Sequence, residues 1–471
     1  MSAVIAPSPG AGSAGARKLA NFRLIPRIET YPNVVSFAQT SLGKVILLVT
    51  FGACLRFFDP WPWQIVLFLA AMSFLPDVRR LLVTMATVAV TVTSREGAGG
   101  FSLWMIAAVY LLGALLFCSA ATWRHSWYGR RPVFILLSGF ALLIATVSVL
   151  PEVRNSPVAW DFIFMLSGYV WFIGFSLMDL KSKDRDTFLL QLGTYRPFWG
   201  STVTPYPKGA AYLRRIEVRN SEELAIVQLK GLKLLVWAIL ISLLATGVQR
   251  FFHGYLDIPT FTQALERSAK GSPLPWHLAW ASLILNFFEG LMAVSILGHR
   301  IIAICRMAGF NALRNTYRPL SSVTVAEFFN RYYFYFKELL VDFFFYPVFL
   351  RYFKPWRRVR IAAAIFAAAC FGNAYYHFTR DLSFIRNLGL WGAFVGYQVY
   401  LFYCVALATG ITISQLRRRK PAPAGFVRAR LLPACSVALF YCLLDIFGST
   451  QRNYPLIEHF RFLGHLFCVN V

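Results

Sequence analysis

The chain carries little charge for its length. Asp, Glu, Lys and Arg make up 14% of its 471 residues, where a soluble domain usually has about a quarter. Acidic residues are scarcest: 21 stand against 47 basic ones, a net charge of +26. Cysteine is sparse and unpatterned. The eight cysteines, at 54, 118, 305, 370, 404, 435, 442 and 468, form no CxxC and no Cys/His group of metal-ligand spacing. They read as small hydrophobes rather than disulfide partners or ligands. No internal repeat is visible, and that weakens a transporter reading, because many transporters have two matching halves. The first forty residues place no apolar core directly behind their basic group, so they do not read as a signal peptide. Together these shortages exclude a water-soluble enzyme, a disordered chain and a disulfide-stapled secreted module.

What the chain does have is apolar. Hydrophobic residues reach 57%, with 44 Phe, 21 Tyr and 13 Trp, and apolar runs near twenty residues recur throughout. The fold class this predicts is an all-α polytopic membrane protein, a bundle of about eleven spans with re-entrant and interfacial helices. Spans are expected near 42–57, 60–76, 79–94, 101–122, 132–150, 158–179, 230–248, 277–298, 357–376, 388–413 and 429–448. Residues 1–40 read as a basic cytosolic tail and 41–471 as one integral-membrane domain. A net charge of +26 would suggest nucleic acid in a soluble protein. Here its distribution reads as topology. Arg79, Arg80, Arg124, Arg130, Arg131 and the Arg417–Lys420 run fall in alternate loops, with only Arg56, Arg95 and Arg154 in the others. The 180–229 connection reads as amphipathic interfacial helices joined by a Pro/Gly loop.

The most informative run is Leu285 through Phe353. Glu289, His299, Arg300 and Arg306 interrupt or end a span, and charges there are costly unless they face protein or water. After Pro319, Thr324 with Glu327 three residues on reads as a capping box opening a helix over about 325–346 that stops before Pro347. At 100° per residue, Glu327, Arg331, Glu338 and Asp342 share one stripe, and Asn330, Tyr333 and Lys337 a second. This is either an interfacial helix with its wet face out or the lining of a polar cavity. Asp342 is expected to pair with a basic residue on a facing segment, or with Arg331 or Lys337. A second polar interruption closes the next span, where His377 follows Asn373, Tyr375 and Tyr376. Such a histidine is either a hydrogen-bonded packing residue or a neutral base able to take an alcohol's proton.

These residues resemble the hallmark region of the membrane-bound O-acyltransferase family, nearest to its bacterial polysaccharide-acetylating branch. The matching blocks are Gly298 to Ile301, Gly309-Phe310, Asn315 to Pro319, Ser322, Glu327 to Tyr333, Val341-Asp342 and Tyr346 to Val348, with the spacing kept from Glu327 to Pro347. His377 matches the family's membrane histidine, and the resemblance covers roughly 220–410. Pro197–Gly209 is similar to the family's cytosolic loop. The chain departs from the pattern at three places: Tyr333 stands for Asn or His, Ile301 for Asp, and Tyr376 for Trp. A tyrosine hydroxyl, with a pKa near 10, donates hydrogen bonds but is a poor base at neutral pH.

The resemblance implies an acyltransferase of a bacterial inner membrane with its N-terminus cytosolic. Its donor would be acyl-CoA or another acyl thioester, with no permanently bound cofactor. The acceptor would be a hydroxyl of an envelope glycan, lipid-linked sugar or lipid, and an envelope-assembly protein is an implied partner. His377 would be the base, with Tyr333 and Asn330 holding acceptor or donor carbonyl. Arg300, Arg306, Arg331 and Lys337 are the candidate cations for the donor's phosphates, with Lys208, Arg214 and Arg215 beside them, although the same charges serve the positive-inside bias. Two other classes compete: a transporter using Asp161, Asp179, Glu289 and Asp445, and an inactive family member acting as an assembly partner. The topology is testable directly. Single cysteines placed in the N-terminal tail and in the Arg417–Lys420 run should both escape an impermeant thiol reagent in intact cells. Labelling of both would overturn the assigned orientation.

Overall fold

The computed structural model describes residues 24–93, 103–180, 188–200, 204–417, 425–448 and 453–469. Among these the regular structure is helical, apart from one isolated antiparallel bridge between Glu217 and Phe310. Among the described residues, eight helices are long and apolar enough to cross a membrane. They are α1 (Leu103–Thr122), α2 (Pro132–Val149), α3 (Pro157–Asp179), α4 (Ser221–Tyr255), α5 (Trp276–Met307), α6 (Arg357–Phe378), α7 (Gln398–Leu416) and α8 (Val427–Phe447). The molecule is thus a polytopic helical membrane protein.

Eleven spans were expected, and the differences have physical causes. The apolar run at 42–57 is half of a pair, Pro32–Gln39 and Ser41–Leu55, bent by 96°. Trp63–Phe74 has only 12 residues, about 18 Å of helix against roughly 30 Å of hydrocarbon. Arg79–Thr93 has 15 residues and buries Arg79 at its start. The run at 388–413 divides at Tyr397 into two helices, the first of them kinked where Gly389 takes φ 72°. In the opposite sense, α5 runs unbroken to Met307, so His299, Arg300 and Arg306 lie within the helix instead of ending it near 298. Within the 1–40 segment the structure describes residues 24 onward. From Ile28 the chain is helical and packed, and Glu29 pairs with Lys233 on α4. Residues 1–23 and 418–420 lie outside the described residues.

Local signals start the main helices. Ser156 accepts from the Ala159 N–H ahead of Pro157 in the first turn of α3. Asn220 caps α4 through the Glu223 N–H at 2.8 Å, while Glu223 accepts from the Arg219 N–H at 2.8 Å. The helices α4 and α5 pack along one another. A side chain at Gly231 would meet the Ala303 carbonyl at 3.0 Å, and Gln228 donates to Ser73 Oγ and the Met307 carbonyl between them. The most enclosed span is α3, with 72% of its apolar window buried.

Among the described residues three large apolar clusters and two small ones make the core, and one short segment joins the three large ones. Phe336, Leu339 and Phe343 belong to the cluster around α3, Tyr335 to the cluster around α4 and α5, and Phe328 to the cluster holding α7 and α8. The segment 325–345 is therefore interior to the bundle, not an interfacial helix with one wet face.

Candidate functional site

That central segment is not the single helix expected over 325–346. It breaks at Tyr333 (φ −137°, ψ 71°) into Val325–Tyr332 and Phe334–Leu340. A π-helical turn, Val341–Phe345, then leads into Tyr346–Arg351. Pro347 does not stop the chain because it sits in the first turn of this last helix, where a missing N–H costs least. At the start, Thr324 caps the Glu327 N–H at 3.1 Å. Glu327 reaches back to the Val323 N–H rather than to Thr324, so only half of the expected capping box forms.

The peptide groups freed at the break are met by the loop before it. Asn315 accepts twice, from Phe334 N–H on its carbonyl at 3.0 Å and from Tyr335 N–H on Oδ1 at 3.2 Å. Thr316 donates its hydroxyl to the Tyr332 carbonyl at 2.8 Å, and the Tyr317 N–H reaches the Arg331 carbonyl at 2.8 Å. Asn315 fits because position 298 is glycine: a Cβ there would lie 2.7 Å from Asn315 Cβ. The loop itself turns at Gly309 (φ 92°), where a Cβ would lie 2.8 Å from Arg79 Nε. Phe310 is bridged there to Glu217.

His377 lies at the end of α6 in an aromatic setting. Its ring centroid is 4.6 Å from Tyr400 and 5.9 Å from Phe336, and Tyr333 stands 5.4 Å from that same Phe336. The structure thus gathers Tyr333 and His377 around one phenyl ring. The His377 helix is pinned on several sides: Tyr400 donates to Asn373 Oδ1 at 3.0 Å, Tyr375 to the Leu137 carbonyl at 2.6 Å, and Tyr397 to the Ala374 carbonyl at 2.7 Å. Tyr376 is buried, with its hydroxyl 2.6 Å from Thr204 Oγ1 and 3.3 Å from Arg380.

Asn330 is not drawn into this group. It lines a cavity of about 1020 Å³ with Lys337, Phe329 and Leu340, whose walls include Val341 and Phe345 of one π-turn and Ala368 and Ala369 of another, Phe366–Gly372. Neither Tyr333 nor His377 is among its lining residues. The four candidate phosphate cations are likewise engaged separately. Arg306, 7% exposed, gives Nε and Nη2 to the Ala312 carbonyl at 3.0 and 2.7 Å. Arg300 lies 4.8 Å over the Phe58 ring. Arg331 pairs with Glu327 at 2.6 Å and Ser321 Oγ at 2.7 Å. Lys337 pairs with Glu338 and sits 4.7 Å over Phe334. Of the transporter carboxylates, Asp179 accepts from the Ala211 N–H, Glu289 meets His253 at 3.2 Å, and Asp445 accepts from Asn286.

Composition did not reveal the role of the 197–209 loop. Expected at the interface, its described residues 197–200 and 204–209 fold inward: Phe198, Trp199, Thr204 and Tyr206 are buried, and Tyr206 packs 6.2 Å from Tyr333 and 5.2 Å from Tyr335. Its Lys208 bridges Glu338 at 2.6 Å and Asp342 at 2.7 Å, and is the partner on a facing segment that Asp342 required. Burial works against the Lys208 charge, yet Asp342 and Glu338 hold its ammonium above the ordinary range. For Asp342 burial wins and raises its carboxyl, despite Lys208. The signal that could have found this pair was a lone lysine in an otherwise aromatic, Pro- and Gly-rich loop.

Comparison with models of known protein families and with curated proteins returns no match. The Lys208 triad gives a stability test. Asp342→Ala leaves a buried ammonium with half its compensation, a loss of about 3 kcal/mol, and should lower both folded yield and melting temperature. The paired change Lys208→Met with Asp342→Leu should recover most of the loss. Unchanged thermal stability in Asp342→Ala would show that the pair is not structural.

Proposed function

We propose that the protein transfers an acyl group from a thioester donor to a hydroxyl acceptor within the membrane, as a divergent member of the membrane-bound O-acyltransferase family. The observation that carries this reading is the convergence of Tyr333 and His377 on Phe336. These two residues lie 44 positions apart on different elements, and both were singled out by their place in the hallmark pattern. A second support is the packing of Gly298 against Asn315, since these two pieces of the same pattern meet in space.

In this mechanism neutral His377 takes the proton of the acceptor hydroxyl as its oxygen attacks the thioester carbonyl. The tetrahedral intermediate collapses by breaking the C–S bond, and the imidazolium returns the proton to the departing thiolate. Tyr333, a donor rather than a base, is suited to hydrogen-bond the carbonyl oxygen as its negative charge grows. Phe336, Tyr376 and Tyr400 pack around the imidazole, with ring centroids 5.9, 5.2 and 4.6 Å from it. Asn330 and Lys337, on the cavity of about 1020 Å³, are placed to receive the acceptor or the donor's polar portion. The acceptor class is an envelope glycan, lipid-linked sugar or lipid, and the donor acyl-CoA or another acyl thioester. The setting is a bacterial inner membrane, with the N-terminus cytosolic. The alternative reading is a transporter using Asp161, Asp179, Glu289 and Asp445.

His377→Ala should fold and bind the donor thioester with near wild-type affinity. Its turnover should fall by roughly 10²–10⁴-fold, the usual range for loss of a general base. Acyl transfer and donor affinity measured on the purified variant decide the matter. Near-wild-type transfer would remove His377 from the chemistry, and loss of donor binding with transfer would make it a binding or packing residue.

A further inference from the structure

A second cavity, of about 950 Å³, lies between the N-terminal segment, α4, α5 and the loop after α5. Its walls carry five cations from three separate elements: Arg27, Lys230, Lys233, Arg314 and Arg318. Only one carboxylate faces them, Glu29, and it is taken by Lys233. Among the described residues, Arg27, Lys230, Arg314 and Arg318 have no ion-pair partner; the two loop arginines lie only over the Tyr317 ring. His299 is 6% exposed and lines the same cavity, and its Nδ1 has no hydrogen-bond partner among the described residues. Burial lowers the Arg314 guanidinium below its ordinary range. Charges of one sign crowded in a half-enclosed space are costly without a counter-anion.

The cavity's position along α4 narrows the choice of anion. With 35 residues, α4 is about 52 Å long against roughly 30 Å of hydrocarbon. The charged residues Glu222, Glu223, Lys230 and Lys233 all precede the apolar run 234–248, so the excess length is assigned to the first turns of α4, with Lys230 and Lys233, nine and twelve residues past Ser221, near the boundary. Trp237 and Ile241 follow on the same helix face at intervals of four and also line the cavity. From Lys230 onward the wall changes along one face from cationic to aromatic to aliphatic, while Ile226 lines it one turn earlier. That is the order of a phospholipid: phosphate, glycerol region, acyl chain. Basic pockets between spans at this level are suited to anionic headgroups.

We propose that this cavity binds an anionic phospholipid, the phosphate held between Lys230 and Arg314 and the acyl chain lying along Trp237 and Ile241. Arg27 and Arg318 close the headgroup end, and His299 offers a ring N–H to a phosphate or ester oxygen. The site shares no lining residue with the cavity that holds Asn330 and Lys337. The inference is independent of the acyl-transfer reading, because its readout is binding alone.

The test uses the full chain purified in detergent. Phosphatidylglycerol, phosphatidylcholine and coenzyme A are each titrated and bound ligand is counted by native mass spectrometry. Phosphatidylglycerol should bind at about one per chain and phosphatidylcholine at least tenfold more weakly, given roughly fivefold in affinity per basic contact. Lys230→Gln with Arg314→Gln should weaken phosphatidylglycerol about 25-fold on the same scale. Lys230→Arg with Arg314→Lys, which keeps both charges, should stay close to wild type and guards against a variant that fails to fold. Equal binding of the two lipids, or undiminished binding in the Gln variant, overturns the site. If coenzyme A displaces the lipid and its own affinity falls in the Gln variant, the occupant is a soluble phosphate ester and the lipid assignment is wrong.

Discussion

Peptide groups freed where a helix breaks inside an apolar bundle have no water to turn to, so they need protein partners. At Tyr333 the partners come from the Asn315–Tyr317 loop, which bonds groups on both sides of the break. Much else follows from that need. The loop must lie against α5, so Gly298 carries no side chain. It must also reverse out of α5, so Gly309 takes a positive φ and Arg306 folds onto the Ala312 carbonyl. Phe328 before the break enters one apolar cluster, while Tyr335 and Phe336, on different faces of the helix after it, enter two others.

Charge inside this bundle is handled by the same rule of local compensation. Lys208 is carried in on a loop whose own aromatics are buried, and it meets two carboxylates four residues apart on the central segment. The ion pair holds that loop against helix Phe334–Leu340 and the π-turn after it, just past the break. Tyr206, two residues before Lys208, thereby packs against Tyr333. The position of the Tyr333 ring is therefore set from two directions: through the following peptide groups of Phe334 and Tyr335, held by Asn315, and through its ring by Tyr206 and Phe336.

Much of this was legible in the sequence, and the limits have physical reasons. Apolar runs gave the helical membrane class, since only helices or closed barrels satisfy backbone groups in lipid. Composition cannot tell a span from a buried half-span, so 42–57, 60–76 and 79–94 were read as crossings. The bend at Thr40 and the 12-residue length of Trp63–Phe74 depend on packing that no window of hydropathy measures. Periodicity placed Glu338 and Asp342 on one stripe correctly, because both lie on the Lys208 side of the segment. It wrongly continued that stripe back to Glu327 and Arg331, because nothing local at Tyr333 signals a break. That break is imposed by Asn315, 18 residues earlier in the chain. The inward course of the 197–209 loop is likewise a tertiary fact: Pro and Gly mark a turn but not its depth.

The loop that stabilises the break also forms a wall of the basic cavity. Thr316 gives its hydroxyl to the Tyr332 carbonyl while lining the cavity with Arg314 and Arg318 on either side. Arg318 sits at φ 48°, a left-handed conformation that a non-glycine residue adopts at some cost. Its backbone is held by the turn to Ser321, with Ser321 in turn bonded to Arg331. An anion drawing Arg314 and Arg318 inward would therefore act on the same loop, Asn315–Tyr317, that bonds groups on both sides of Tyr333. Only one peptide unit separates the Thr316 hydrogen bond from the Tyr333 ring. The physical route between the cationic cavity and the Tyr333–His377 centre is thus a short loop whose hydrogen bonds serve both.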